Sequence, residues 1–127
     1  MKAISVSTRS RSEFRDMTGD VSNAVRELGV DNGSVTVFVP HTTAGVTINE
    51  NADPSVVADI TGALDRLVPW NAGYSHAEGN AAAHIKASMM GSSVRVIVAD
   101  GELQLGTWQG IYLCEFDGPR SRKVWVV

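Results

Sequence analysis

The sequence is short of the residues and patterns that mark several protein classes. It has one cysteine, Cys114, which cannot form an internal disulfide. Because Cys114 lies in the apolar run GIYLCEF, a buried and unreactive thiol is favoured over a catalytic nucleophile. No apolar run approaches the roughly 20 residues of a membrane helix, and the N-terminus has no apolar segment typical of a secretory signal. We therefore expect a cytoplasmic protein without a membrane partner.

Positive charge is also scarce in this chain. Its 11 Lys and Arg residues are outnumbered by 14 Asp and Glu residues, and the basic residues are scattered except near the C-terminus. Nucleic-acid-binding domains usually carry a basic patch or stripe, so no nucleic-acid partner is expected. No linker, repeat or low-complexity segment divides the sequence, which predicts a single domain over residues 1–127.

The order of the secondary-structure signals predicts the fold class. Helices are expected over residues 21–28, 54–68 and 81–90, with Asp20 and Asp53 as the N-caps of the first two. Strands outnumber helices and do not alternate with them, so the expected fold is α+β, with a largely antiparallel or mixed β-sheet and about three helices. The predicted strands cover residues 4–6, 13–16, 34–39, 45–49, 93–99, 102–106, 110–116 and 123–127.

The three histidines lie at positions from which they can reach one another. His41 follows the proline that ends a predicted strand, His76 lies in a glycine-containing loop, and His84 lies on the third predicted helix. Three imidazoles leave one position free on a tetrahedral ion, which is the arrangement of catalytic zinc sites. The spacing matches no HExxH or CxxC-type signature. A shared metal site and three unrelated histidines therefore both remain open.

The third predicted helix offers the alternative interpretation of His84. On an ideal helix, Ala82, Ile85 and Met89 form one apolar face, and His84 lies at its flank. A histidine in that position packs against its neighbours more often than it binds a ligand. Small alanines around it leave space beside the ring, which favours a ligand role instead.

Several polar residues are candidates for catalysis. Either Glu50 or Glu78 could fix an imidazole tautomer or act as a general base, although Glu78 could equally be solvated in its loop. Gln109 stands among apolar strand residues and needs hydrogen-bond partners if it is buried. The neighbouring Trp108 is expected in the core. We take Glu50 and Gln109 as the candidate catalytic residues.

The turn DGPRSRK near the C-terminus carries Arg120 and Arg122. Such a turn is typically solvated, but the planar fork of an arginine also suits the oxygens of a phosphate. Arg120 is the preferred anion ligand because the preceding Gly-Pro turn fixes its backbone. The candidate substrate- and phosphate-binding residues are Arg120, Thr42 and Asn80.

Three long phrases together resemble a known family. HTTAGVTINENADP, YSHAEGNAAAHIKASMMGSSV and GELQLGTWQGIYLCEFDGPRSRKV are similar to the YjbQ family, also called the secondary thiamine-phosphate synthase family. The resemblance covers essentially the whole chain in order. The G-T-W-Q phrase, with Ser-Ser-Val upstream and D-G-P-R downstream, is its most specific part. The resemblance implies a small YjbQ-like α+β domain that assembles as a homotrimer.

The resemblance also implies a site and an activity. The histidines of the family correspond to His41, His76 and His84, which implies a pocket around a divalent metal, zinc first, with magnesium as the choice for a diphosphate. The implied reaction joins hydroxymethylpyrimidine diphosphate to a thiazole phosphate and releases diphosphate, which calls for a metal ion and cationic side chains. The dedicated enzyme of that pathway is a TIM barrel, which 127 residues cannot build.

The chain departs from the family pattern at one position. Relatives often carry a further acidic residue beside or just after the position of Asn80, where three alanines follow here and Glu78 is the nearby carboxylate. Three functions therefore remain open. The first is a metal-dependent enzyme acting on phosphorylated small molecules, the second is a non-catalytic trimeric module that binds metal or a phosphorylated ligand, and the third is a structural trimer whose histidines only pack.

Overall fold

The computed structural model describes residues 1–127, and its helices and strands form an α+β fold. The three helices follow the predicted order. Eight strands, all paired antiparallel, make up the rest of the regular structure. The elements are β1 (Lys2–Ser7), β2 (Glu13–Asp16), α1 (Thr18–Leu28), β3 (Gly33–Phe38), β4 (Ala44–Glu50), α2 (Pro54–Leu67), α3 (Ala81–Met90), β5 (Ser93–Ala99), β6 (Glu102–Leu103), β7 (Gln109–Glu115) and β8 (Ser121–Val126).

The strands form two sheets of different size. One has five strands in the order β1-β8-β3-β5-β6, and the other has three in the order β2-β7-β4. In the smaller sheet, β4 pairs with β7 along its whole length, from Ala44 opposite Glu115 to Glu50 opposite Gln109. This register decides which candidate site residues share one end of the sheet.

Apolar side chains of both sheets and of α1 meet in one core. Many of its buried valines come from β3, β4, β5 and β8, as the alternation of apolar residues in those strands requires. β7 contributes Ile111 and Leu113 to this core. Its alternate residues Tyr112 and Cys114 point to the opposite face, where they pack with Leu64 of α2 and with alanines of α3 in a second cluster. The helices α2 and α3 thus cover the outer face of the three-stranded sheet.

Helix α3 lies close to β4, and a glycine makes that approach possible. A Cβ atom on Gly45 would lie only 2.7 Å from the carbonyl oxygen of Gly91, immediately after α3. The amide of Val46 donates a hydrogen bond to that same oxygen at 3.1 Å. This contact brings the side of α3 that carries His84 next to the loop that carries His41.

Two details of the helices correct the sequence-based predictions. Asp20 is not the N-cap of α1, because the helix begins at Thr18 after Met17, whereas Asp53 does cap α2 through the amide of Ser55. The predicted apolar face of α3 is also wrong in part. Ile85 and Met89 are 39% and 50% exposed, because the small alanines of α3 give the close contact with the sheet.

Candidate functional site

A polar pocket of about 430 Å³ opens where four segments converge. They are the loop between β3 and β4, the loop between α2 and α3, the first turns of α3, and the turn between β7 and β8. No apolar side chain other than a proline lines it. The lining residues are Pro40, His41, Thr42, Thr43, His76, Glu78, Asn80, His84, Asp117, Arg120 and Arg122. All three histidines and all three candidate phosphate-binding residues are therefore together in one place.

Two of the histidines are in direct contact. The ring centres of His76 and His84 are 5.2 Å apart, with the planes nearly perpendicular. The carboxylate of Glu78 lies 4.0 Å from Nε2 of His76, and both side chains are largely exposed. Helix α3 holds His84 in place, whereas His76 is carried by the loop that leads into the helix.

His41 is held differently from the other two histidines. Its Nε2 accepts a hydrogen bond of 2.8 Å from the backbone amide of Lys123 on β8. In the neutral ring, the proton therefore lies on Nδ1. Partial burial lowers the pKa of His41, and the neighbouring positive charge of Arg122 lowers it further. His41 is thus a neutral imidazole whose Nδ1–H can donate a hydrogen bond, while the lone pair of its Nε2 is already used.

These positions decide how well the histidines fit a metal ion. Two imidazoles on one tetrahedral zinc, with Zn–N distances of about 2.1 Å, have ring centres about 5 Å apart, which agrees with the spacing of His76 and His84. The Nε2 lone pair of His41 is used by the amide of Lys123. No group of three or more His, Cys, Asp or Glu side chains converges on a common point. In this arrangement, two of the three predicted ligands, His76 and His84, are placed to bind a metal ion.

A buried ion pair forms the floor of the pocket. Glu115 is fully buried and Arg122 is 4% exposed, and the arginine binds both carboxylate oxygens with Nε and Nη2. Nη2 also donates to the hydroxyl of Thr43, and the hydroxyl of Thr8 donates to Glu115 at 2.7 Å. Arg122 is therefore neither the solvated turn residue nor the phosphate ligand that the sequence allowed. It is a structural cation that ties β8 to β7 and to the loop after His41.

Hydrogen bonds offset the cost of burying the Glu115 carboxylate. Burial alone raises the pKa of Glu115, but the hydrogen bonds from Arg122, Thr8 and the backbone amide of Asp117 hold that pKa below its ordinary value. The pair was missed by sequence reasoning. An acidic residue at the end of the apolar run GIYLCEF, followed by an arginine at the start of the next strand, was the signal that could have revealed it.

Asp117 links Arg120 to Asn80. One carboxylate oxygen, Oδ2, accepts from Nδ2 of Asn80 at 2.8 Å and from Nη2 of Arg120 at 3.0 Å. Nε of Arg120 donates to the Asp117 carbonyl, which leaves Nη1 without a partner in the protein. The Arg120 side chain is 52% exposed, so its free edge is open to solvent beside the pocket.

Asn80 has hydrogen-bonding capacity that the protein does not use. The residue is 7% exposed, and its Oδ1 is buried without any partner. The bond from Nδ2 to the Asp117 carboxylate fixes the orientation of the amide, so the unpaired atom is the acceptor. Asn80 precedes α3 as predicted, but its side chain does not cap the helix. Asn80 is one of the residues that line the pocket, and its Oδ1 is closed off from solvent.

Two predicted catalytic residues lie elsewhere in the chain. Glu50 and Gln109 are paired with each other at the end of the β4–β7 ladder opposite to the histidines. Glu50 lies six positions along the strand from Ala44, a distance of about 20 Å. Glu50 is therefore not beside His41 within one chain. Gln109 is exposed and its Oε1 accepts from the amide of Gly106 in its own turn.

Two further predictions concern the burial of Trp108 and of Cys114. Trp108 is 62% exposed and does not belong to the core, because it lies in the turn before β7 begins. Cys114 is fully buried in the second cluster, and burial raises the pKa of its thiol far above the ordinary value. The prediction of a buried cysteine is confirmed.

A second pocket, of about 490 Å³, adjoins the first. It shares His41, Thr42 and His84 with the first pocket, and Ala44 of β4 and small residues of α3 and of the segment after it line the remainder. The two pockets therefore lie next to each other at the histidines.

Comparisons with known proteins match almost the whole chain to one family. Residues 2–127 match the family described as "UPF0047 protein YjbQ-like". The UPF0047 protein YugU of Bacillus subtilis is 48% identical over 127 residues, covering 99% of this chain and 96% of that protein. A UPF0047 protein of Methanocaldococcus jannaschii is 50% identical over 121 residues, covering 95% of this chain and 88% of that protein.

Solved structures show the same fold. A crystal structure of a yjbq/upf0047 family protein from Clostridium acetobutylicum matches with a TM-score of 0.98 and 55% identity, covering 100% of this chain and 98% of that one. A YbjQ-like protein from Sulfolobus solfataricus matches with a TM-score of 0.94 and 34% identity, covering 98% of this chain and 92% of that one. No helix of the present chain is long and apolar enough to cross a membrane.

Proposed function

The chain belongs to the UPF0047 family of YjbQ-like proteins, and from that premise we propose that it is a metal-dependent enzyme acting on phosphorylated small molecules. Thiamine-phosphate synthesis from hydroxymethylpyrimidine diphosphate and thiazole phosphate is the specific reaction proposed. The observation that carries the proposal is the polar pocket of about 430 Å³ in which three histidines meet Arg120 and Asn80. We place the protein in the cytoplasm and propose that it works as a homotrimer.

Arg120 is the proposed anion ligand. Its charge is partly balanced by Asp117, but Nη1 has no partner and points away from that carboxylate. A phosphate oxygen can therefore bind to the open edge of the guanidinium without displacing Asp117. Thr42 lines the same pocket and is exposed, and we propose that its hydroxyl donates to the bound anion.

The metal in this proposal is a divalent ion, zinc first, held by His76 and His84. Their ring spacing supports this assignment, and His41 completes the set once its ring releases the amide of Lys123. Magnesium is the alternative when a diphosphate supplies oxygen ligands. When bound, the ion supplies positive charge that stabilises a departing phosphate group.

Asn80 adds a requirement on the ligand. A buried acceptor without a partner costs stability unless a ligand or water supplies a donor, and Oδ1 of Asn80 is such an acceptor. Because Oδ1 is closed off from solvent, a ligand reaches it only when the side chains that cover it move. It would then repel a phosphate oxygen and accept a hydrogen bond from an amino or hydroxyl group. Because Asn80 and Arg120 bind the same oxygen of Asp117, the donor and the anion of the ligand bind close together. The proposed substrate therefore carries an amino or hydroxyl group near its phosphate.

Calorimetry and turnover test the proposal together. Replacing Arg120 by Ala is expected to weaken diphosphate binding by about 1.5–3 kcal/mol, the range for a hydrogen bond to a charged group, while metal content stays unchanged. Arg120→Lys should restore part of the affinity, because a point charge cannot reproduce the fork of a guanidinium. Unchanged affinity in Arg120→Ala would remove the anion role. Release of diphosphate from the two substrates, measured at matched metal occupancy, tests the reaction itself.

The second candidate is a non-catalytic trimeric module that binds a metal or a phosphorylated ligand. The observation that favours it is the distance of Glu50 and Gln109 from the pocket, which leaves Glu78 as the exposed carboxylate beside the histidines. Binding of diphosphate without turnover would select this candidate. In a trimer, Glu50 and Gln109 of one chain can still approach the histidines of a neighbour. Light scattering that gives the 13.5 kDa mass of one chain at micromolar concentration would exclude the trimer.

A further inference from the structure

A separate pocket of about 400 Å³ lies on the other side of α3. It shares no lining residue with the histidine pocket or its extension. His84 faces the histidine pocket, and Lys86, two positions along the same helix, faces this one. We call it the Lys86 pocket. Its lining residues are Arg11, Ser12, Asp65, Pro69, Trp70 and Lys86.

Lys86 is buried with unused hydrogen-bonding capacity. Its side chain is 4% exposed, and its one partner is the carboxylate of Asp65 on α2. An ammonium group has three N–H donors, so two of them have no acceptor in the protein. Removing a charged donor from water without a partner is costly. Acceptor atoms from a bound molecule would remove that cost.

A second cationic side chain, that of Arg11, also lines the pocket. The guanidinium of Arg11 lies 4.2 Å from the ring centre of Trp70, in a cation–π contact. It makes no ion pair and no hydrogen bond to a carboxylate. The carbonyl of Arg11 accepts from the amide of Gly118 at 3.0 Å, and a Cβ on Gly118 would overlap the carbonyl oxygen of Ser10. The loop that carries Arg11 is thereby fixed to the turn between β7 and β8.

The charges in this pocket favour an anion. Lys86 and Arg11 contribute two positive charges, and Asp65, whose side chain is 58% exposed, contributes one negative charge. The Ser12 hydroxyl, which has no partner in the protein, supplies a further donor. We propose that the Lys86 pocket is a second binding site for the phosphate group of a small molecule, whose oxygens lie between the ammonium of Lys86 and the guanidinium of Arg11. The pocket is larger than a phosphate ion, so it also has room for the group that carries the phosphate.

The indole of Trp70 provides the test. The chain has three tryptophans, and they occupy distinct settings: Trp70 lines this pocket, Trp108 is exposed in a turn, and Trp125 stacks on Phe38 in the larger sheet. Sodium phosphate is titrated into the full-length ¹⁵N-labelled protein while the three indole N–H resonances are followed. Sodium chloride and sodium acetate at matched ionic strength are the controls. A saturable shift of the Trp70 resonance with phosphate alone is the expected result.

Two variants separate the site from a general effect of charge. Lys86→Met and Arg11→Ala are each expected to raise the apparent Kd reported by Trp70 at least about tenfold, as the loss of a charged hydrogen bond implies. Lys2→Met removes one positive charge from a surface pair with Glu27 and should leave the titration unchanged. If Lys86→Met does not fold, which loss of the Trp125 resonance would reveal, Arg11→Ala decides.

The outcomes distinguish this site from the histidine pocket. Arg120→Ala should leave the Trp70 titration intact, because Arg120 lines only the histidine pocket. Absence of a saturable Trp70 shift in the wild-type protein would overturn the proposal and leave Lys86 as a bridge between α2 and α3. A shift that persists in both Lys86→Met and Arg11→Ala would overturn it as well. So would an equal response to acetate, because the site would then be a general anion site rather than a phosphate site.

Discussion

The two ends of the β4–β7 ladder carry polar residues of similar types, but these residues differ in how they are hydrogen-bonded. At the Glu50 end, polar groups bind one another: Gln109 accepts from the amide of Gly106, Asn51 donates to Asp16, and the hydroxyl of Tyr112 donates to the carbonyl of Glu50. At the histidine end, Oδ1 of Asn80 and Nη1 of Arg120 have no partner. The residue types at the two ends do not distinguish them. A buried side-chain acceptor without a partner does, and it is found at the histidine end.

The same contrast appears over two residues of one turn. Arg120 and Arg122 both come from the phrase DGPRSRK, yet Arg122 is buried against Glu115 while Arg120 keeps an open edge. Arg122 is the second residue of β8, and strand alternation turns its side chain into the protein, whereas Arg120 precedes the strand. This basic turn therefore has one arginine in a buried ion pair and one that keeps an open hydrogen-bonding edge.

The largest expected effect comes from breaking the buried pair under the histidine pocket. Glu115→Ala leaves the charge of Arg122 buried without a partner, which should lower the free energy of unfolding by about 3–5 kcal/mol. Glu50→Ala at the other end of the ladder is the matched control, because its side chain makes no ion pair. It should change stability by less than about 0.5 kcal/mol. Denaturant unfolding measures both, and equal losses would contradict the assignment of Glu115.

The buried pair also predicts a pH dependence. The folded-state pKa of Glu115 lies below its ordinary value of 4.5, so the folded state favours the ionised carboxylate. Its contribution to stability is present above about pH 4.5 and is lost as the pH falls through the lowered folded-state pKa. Acid unfolding of Glu115→Gln should therefore be less steep than that of the wild-type protein below pH 4.5. Acid unfolding of equal steepness in the wild-type protein and in Glu115→Gln would rule out this contribution of Glu115 to stability.

Metal content gives the next largest contrast. His84→Ala and His76→Ala should each weaken zinc binding by at least about 100-fold, because direct ligands contribute more than the supporting groups whose loss costs 10–100-fold. His41→Ala should weaken it less, since the His41 ring is engaged with Lys123. Elemental analysis after dialysis against a weak chelator measures the occupancy. Full occupancy in His84→Ala would remove that residue from the ligand set.

Asn80 predicts a smaller and more specific effect. An ester that carries an amino group beside its phosphate should bind more tightly than a matched ester without one, by about 5- to 150-fold if it satisfies the buried acceptor. Phosphoethanolamine and ethyl phosphate form such a pair. The ratio of their calorimetric affinities should approach one in Asn80→Ala, whereas Arg120→Ala should weaken both and keep the ratio. Equal affinities in the wild-type protein would show that Oδ1 does not meet the ligand.

The smallest expected effect is at the Glu50 end. Gln109→Ala and Glu50→Ala should leave ligand affinity unchanged, because both residues are far from the pocket of their own chain. Calorimetry with diphosphate measures this. A loss of affinity in either variant would contradict the claim that the ligand binds at the histidine end alone. It would also indicate that a neighbouring chain of the proposed trimer brings its Glu50 end to the histidines.

Local signals allowed much of the fold to be predicted from the sequence. Asp53 followed by Pro54 marked the start of α2, and apolar alternation marked the strands of both sheets, because these features act over a few residues. The placement of Glu50 was not predictable in this way, since it depends on the register between β4 and β7. The exposed Ile85 likewise depends on how closely α3 approaches the sheet. Contacts between distant segments determined both, and no local pattern encodes them.

The most direct test of the central claim is a map of diphosphate binding on the zinc-loaded, ¹⁵N-labelled protein. The account predicts saturable shifts of the side-chain amide of Asn80 and of the Nε–H of Arg120, with the side-chain amide of Gln109 unchanged. The Asn80 and Gln109 amides are matched reporters, one at each end of the β4–β7 ladder. Shifts of Gln109 without shifts of Asn80 and Arg120 would contradict the account, because the ligand would then bind at the Glu50 end of the ladder and not in the histidine pocket.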